Sequence, residues 1–278
     1  MKNRLSTLAL TIARWLVPLA AIAISVAFFS IAPAGLWGKL DAIGYAVCHQ
    51  LDERSFHVDS HRLPLCARCS GMYLGAVLGI LYLSLTQPRR GGMPPKAILV
   101  VLAVFGLAFV VDGGNSYLYL LKQTWGERLD FLPNLYLPNN TLRLLTGTGV
   151  GLGLAVAVFL SFNQTMWIEW DNRPILGDGK QAGMLFVLAL GMVLLVLMEW
   201  EIVLYLAAFL SSAGVLLLLS MVYSMLWTML MRQENSYGTL NAAWLAILAG
   251  LTLALLQITL IDVFRLWLTG TWGSFPLP

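Results

Sequence analysis

Charge is what this chain lacks. Aspartate, glutamate, lysine and arginine make up 11% of its 278 residues, where a soluble domain carries roughly a quarter. That scarcity excludes a water-facing surface over most of the chain. The formal net charge of +3 is modest, and the basic residues scatter near the ends of apolar runs, so nucleic acid is not an implied partner. There is no low-complexity tract and no fixed-period repeat. Cysteine and histidine are scarce too, with three of each. All six fall in one stretch, CHQLDERSFHVDSHRLPLCARC, from Cys48 to Cys69.

What is abundant is hydrophobic sequence, at 59%. Apolar windows lie near 15–35, 65–86, 97–121, 142–162, 183–199, 202–230 and 241–264, most of them long enough to cross a hydrocarbon core about 30 Å thick. They lack barrel-like alternation, and only helices satisfy their own backbone in lipid without closing a barrel. The sequence therefore predicts an all-α, polytopic transmembrane helix bundle of about seven spans. The run from Trp15 to Ile31 follows Lys2, Arg4 and Arg14, and Ala32-Pro33-Ala34 loosely resembles a signal-peptidase site. Its length exceeds most signal cores, so it reads as a retained first span. Glu199-Trp200-Glu201 divides one long apolar stretch into two helices through a tight turn.

Lysine and arginine bias sets the expected orientation. Lys2, Arg4 and Arg14 precede the first span, and Arg89, Arg90 and Lys96 follow the second. The N-terminus is then cytoplasmic and the C-terminus outside, in a multi-pass inner or cytoplasmic membrane protein. The chain divides into a four-span part, 1–163, with an outward Cys/His loop at 36–64; a cytoplasmic linker, 164–182; and a three-span part, 183–278.

With this topology the polar residues at membrane depth converge on one face. Asp112 and Asn115 lie about 22–27 Å along the third span from Ala97, at 1.5 Å per residue. Asn139, Asn140 and Arg143 open the fourth, Glu199 and Glu201 sit at the turn before the sixth, and Gln257, Asp262 and Arg265 end the seventh. Such groups are costly in a bilayer and point to function, although Asp112 with Arg143, and Asp262 with Arg265, would also serve as structural ties. Gly113-Gly114 beside Asp112 suggests broken backbone lining a cavity. Gly71, Gly75 and Gly79, with Gly147/Gly151 and Gly149/Gly153, recur every four residues and predict close packing of the second and fourth spans.

The soft-ligand cluster admits three chemistries. Zinc takes four Cys or His ligands in a tetrahedron; Cys66 and Cys69 in a C-x-x-C at a helix start would supply two, and Cys48 with His49 or His61 the rest. His57 and His61, four apart, are a further pair if their stretch is helical. Alternatively, the helix N-terminus and Arg68 would lower the thiol pKa values and make Cys66/Cys69 a redox pair that passes electrons to a quinone; disulfide-generating membrane enzymes typically use two pairs, and three cysteines give one pair and a remainder. A plain disulfide from Cys48 to Cys66 or Cys69 is the third.

Cys48-His49-Gln50, Arg54-Ser55-Phe56 and Cys66-Ala67-Arg68-Cys69-Ser70-Gly71-Met72-Tyr73-Leu74-Gly75 resemble the signature of a prokaryotic integral-membrane family, domain of unknown function 2085. Asp112-Gly113 and Leu142-Arg143-Leu144-Leu145-Thr146-Gly147 are similar to its later motifs. The resemblance covers roughly residues 45 to 153 and leaves out the last three spans. It implies membrane location and a shared site drawn from Cys48, His49, Gln50, Arg54, Cys66, Arg68, Cys69, Asp112 and Arg143, but no reaction.

The reading is a Cys/His metal site, zinc-like, with Cys48, His49, His61, Cys66 and Cys69 as candidate ligands, beside a polar pocket of Asp112, Asn115 and Arg143. If catalytic, the metal would activate water or polarise a carbonyl or phosphoryl group. Asp112 is then a candidate base, and Arg54, Arg68 or Arg143 would hold an anionic substrate at the membrane interface. Two alternatives stay open on sequence alone: the quinone-linked thiol-disulfide oxidoreductase, and a non-catalytic accessory subunit docked to a membrane-protein partner.

Overall fold

The computed structural model describes residues 2–125 and 131–273. Within them are eight α-helices: α1 (Lys2–Ile31), α2 (Gly35–Val47), α3 (Ala67–Thr86), α4 (Lys96–Trp125), α5 (Asn140–Met166), α6 (Gly179–Leu197), α7 (Glu201–Leu230) and α8 (Trp244–Thr269). Seven are long and apolar enough to cross a membrane. The exception is α2, with 13 residues, roughly 20 Å of helix. Its Lys39 Nζ bonds the carbonyls of Phe29 (2.5 Å) and Ala32 (2.7 Å) at the end of α1. The spans alternate in direction. One end of the bundle carries α2, the cysteines and a small hairpin of β1 (His57–Val58) with β2 (His61–Arg62). The opposite end carries a parallel pair, β3 (Arg90–Gly92) with β4 (Asp171–Pro174).

The centre of the bundle is the α3/α5 contact, as the glycine spacing predicts. Gly71 and Gly75 lie against the backbone of Leu144 and Thr148, and Gly147 and Gly151 against that of Arg68 and Met72. A side chain at Gly147 would run into the Arg68 carbonyl, and backbone cannot retreat as a flexible side chain can. Gly149 instead accommodates Phe105 of α4, while Gly153 faces open space. The last three spans share cores with the earlier ones. Val193 and Val196 of α6 and Leu204 and Ala207 of α7 cluster with Leu74 and Leu144. On α7, Gly214 meets Tyr73 and Val77 of α3, and α1 packs on α8 through Ala13, Val17 and Ala249.

Large apolar side chains cover the outside, among them Trp15, Leu19, Val104, Val110, Val187 and Trp267. A bilayer, not water, is the solvent for such a surface. The turn at Glu199 has φ 51° and separates α6 from α7 as expected. One expectation is overturned: α4 runs unbroken through Gly113-Gly114. Helical neighbours on both sides hold the pair in register, and a Cβ at Gly113 would lie 3.7 Å from Arg68 Nη1, an ordinary contact.

A tri-thiol cluster and its arginine network

The cluster is built on the junctions of two helices. α2 ends at Cys48, whose backbone is extended at φ −136°, ψ 148°. α3 begins after Cys66, its N-cap, and Cys69 lies on its first turn. The three sulfurs lie within 4.8 Å of one another and carry no disulfide. Around them pack Phe28, Ile43, Leu65, Tyr73, Val215 and Ile258, so the thiols face each other in an apolar setting. The amides of Gln50 and Cys66 donate to Cys48 Sγ, each at 3.4 Å. Such N–H to sulfur bonds favour a thiolate over a thiol.

Gln50 explains its place two residues after Cys48. Its φ of 54° turns the amide back toward the sulfur. Its buried side chain donates to the carbonyls of Asp41 (3.0 Å) and Pro64 (2.8 Å) and accepts from Arg62 (3.2 Å). One amide side chain thus holds α2, the loop and the strand before α3 together. Arg265 of α8 adds a second clamp, donating to the carbonyls of Tyr45 and Cys48 (2.7 Å for the latter) with its guanidinium over the Tyr45 ring.

Ionisation in the cluster is unequal. Thiols of Cys48 and Cys69 donate to the Cys66 sulfur, and amides at the start of α3 assist, so the Cys66 pKa is held well below the usual thiol range. The same contact with Cys66 pushes Cys48 up to about 12.

The histidines stand apart from the thiols. The metal-ligating atoms that converge among the described residues are the three sulfurs. His49 follows Cys48 on extended backbone, where successive side chains point to opposite sides, and it is exposed. His61 lies on the hairpin, paired with Val58 and edge-on to Trp37; His57 bonds Asp52 at 3.1 Å. Of the mixed Cys/His set expected from the sequence, the structure brings together Cys48, Cys66 and Cys69.

Beside the thiols lies a charged network at the same end. Arg68, on the first turn of α3, donates to Asp112 of α4 through Nε (3.1 Å) and Nη2, and to Ser116 Oγ (3.1 Å). The second oxygen of Asp112 accepts from Tyr136 Oη at 2.9 Å. Arg54 Nη2 donates to the Ser116 carbonyl (3.2 Å), and Arg143 Nη1 to Asn140 Oδ1 (2.9 Å). Arg143 is 6% exposed, and its Nε is buried without a partner. Arg54, Arg68, Asp112 and Cys66 are all near enough to act on its charge. Three guanidinium groups thus face one carboxylate and one readily formed thiolate.

Several sequence expectations shift. Asp112 pairs with Arg68 instead of Arg143, and both of its oxygens are engaged, by Arg68 and by Tyr136. Asn115 ties down the segment before α5, donating to the Tyr136 carbonyl (2.9 Å) and accepting from the Leu135 amide (2.9 Å). Asp262 makes no ion pair with Arg265 among the described residues; its oxygens are buried without hydrogen-bond partners. Thr146, within the family-like Leu142–Gly147 segment, reaches Asp112 at 3.4 Å, while Tyr136 and Ser116 carry no sequence signal that would single them out.

Fold and site together define a polytopic helical membrane protein with a tri-thiol cluster at one end of its bundle. The family model described as "Predicted membrane protein (DUF2085)" matches residues 48–157, from the first cysteine through most of α5. An uncharacterized protein of Methanothermobacter thermautotrophicus is 34% identical over 102 residues, 36% of this chain and 74% of that protein. An uncharacterized protein of Methanocaldococcus jannaschii is 30% identical over 88 residues, 32% of this chain and 54% of that protein, so the match spans about half the length of that relative. The chain belongs to this family of membrane proteins. No solved structure matches it.

Proposed function

We propose that Cys48, Cys66 and Cys69 bind one metal ion, zinc by preference, as an open three-thiolate site, and that the neighbouring arginines hold an anionic group of a substrate at the membrane interface. The carrying observation is the convergence of three sulfurs within 4.8 Å. Tetrahedral zinc with 2.3 Å bonds sets its sulfurs about 3.8 Å apart, so a small inward adjustment completes the set. Three protein ligands leave a fourth position for water or substrate, the pattern of catalytic rather than structural zinc. The chemistry a bound metal supplies there is activation of water or polarisation of a carbonyl or phosphoryl oxygen.

The chain's own groups supply the rest. Arg143, with a buried and unpartnered Nε, and Arg54 offer donors for an anion. Asp112 and Tyr136 fix Arg68 in place. Metal analysis of protein purified under reducing conditions tests the reading: about one zinc per chain is expected, and Cys66→Ser should lose it while remaining folded. Substoichiometric zinc, iron and copper in every preparation would remove the proposal.

The positive-inside rule places this end outside the cell. A cysteine introduced at Asp59, on the exposed tip of the hairpin, should then react with a membrane-impermeant maleimide on intact cells; labelling only after lysis reverses the orientation.

A second reading, thiol-disulfide exchange with a quinone, is favoured by the easily ionised Cys66. Its weakness is distance. The large apolar cavity of the bundle begins at Ile80, 14 residues beyond Cys66 and so about 21 Å along α3. Thiol trapping that finds Cys66 and Cys69 cycling with the quinone pool would favour it over the metal site.

A further inference from the structure

From the far end of the bundle we infer a resident-lipid site: a cavity that takes one acyl chain of an anionic phospholipid, with the headgroup phosphate on Arg89. The cavity is about 660 Å³, within the range of about 300–1,000 Å³ of small-molecule pockets. It lies between α3, α5, α7 and the start of α8. Ile80, Phe159, Leu217, Met221 and Ile247 give it apolar walls, and among the described residues no carboxylate lines it. The walls are residues of membrane-spanning helices, so a hydrocarbon chain is the ligand that the surroundings supply and that the walls accept.

The mouth supplies the charge. Arg89 has φ 62°, which turns the chain sharply after α3. Its guanidinium lies over the Trp167 ring at 5.3 Å, and Nη2 donates to the Gly238 carbonyl. That bond uses one of five guanidinium donors, and stacking on the indole fixes the plane of the others. Arg90 adjoins it, paired with Asp171 at 4.0 Å. Ser84, Asn163 and Ser224 add polar groups to the lining, partners for ester oxygens below the phosphate. A cation at the mouth, a few polar groups and apolar walls match the charged, ester and hydrocarbon parts of a phospholipid. The inference is independent of the thiol chemistry at the other end.

Native mass spectrometry of the full chain, released from nanodiscs of mixed phosphatidylglycerol and phosphatidylcholine, tests it. One phosphatidylglycerol retained per chain is expected. Arg89→Gln, an exposed position, should lower the preference for phosphatidylglycerol over phosphatidylcholine about tenfold, the loss of a charge-assisted contact. Met221→Trp should fill the cavity and abolish retention of either lipid, with elution volume and helical circular dichroism reporting that the bundle is intact. Retention of a neutral quinone or of phosphatidylcholine in preference, equal retention by wild type and Met221→Trp, or an unchanged preference in Arg89→Gln would each overturn the assignment.

Discussion

Replacing Asp112 with asparagine is expected to destabilise the bundle by about 3–5 kcal/mol, the cost of stranding a buried charge whose partner has gone. Asp112 is 1% exposed and is the carboxylate that Arg68 contacts, with Arg54 and Arg143 close behind. The Arg68 side chain is 18% exposed, too little to restore the full hydration of the guanidinium that is left. Asparagine keeps the shape and still accepts from Tyr136, so the change isolates charge from packing. Replacing Arg68 with methionine in the same chain should recover much of the loss, since a buried pair exchanged for apolar groups is often close to neutral. Reversible unfolding in mixed micelles, run as a double-mutant cycle, measures the coupling. A single-variant effect below about 1 kcal/mol would mean that the guanidinium finds solvent or another partner.

Zinc binding at pH 7 should release about two protons, and affinity should rise about 100-fold per pH unit between pH 6 and 8. The sign follows from competition: protons and metal seek the same sulfur lone pairs, so raising the pH removes the competitor. The number follows from the unequal ionisation. Cys66, held down by its two neighbours and the amides of α3, gives up its proton most readily and adds least to the count. Cys48, pushed up to about 12 by the same contact, is protonated across that range and must give its proton up, as must the third thiol. Calorimetry in buffers of different ionisation enthalpy counts the protons. Three released would mean that Cys66 is an ordinary thiol, and none that the sulfurs are not the ligands.

Much of the fold was legible because its cause is local. Apolar run length alone marks the seven spans, and glycines four apart mark the α3/α5 contact because only their missing side chains allow it. The convergence of polar groups at one end follows from alternating span direction. What was not legible depends on which side of a backbone a residue faces. His49 is next to Cys48 in sequence but on the opposite side of extended chain, and His61 went outward with its hairpin. Asp112 and Arg143 are level with each other, yet Arg68 is the partner: Gly147 brings α3 close to α5, and the Arg68 side chain reaches across to α4. Helix α2 was hidden inside a stretch read as loop, since 13 residues with Lys39 and Asp41 match neither a span nor a turn. Arg265 and Asp262 sit three residues apart, but the arginine turns to the carbonyls of Tyr45 and Cys48 instead.

The central claim, a metal held by these three sulfurs with one position left over, is tested most directly by X-ray absorption at the zinc edge on protein purified under reducing conditions. Three sulfur atoms at about 2.3 Å and one oxygen or nitrogen at about 2.0 Å are predicted, with one sulfur lost in Cys48→Ser. A shell of four sulfurs from two chains, a shell dominated by imidazole nitrogen, or reduced protein that binds no zinc would contradict it.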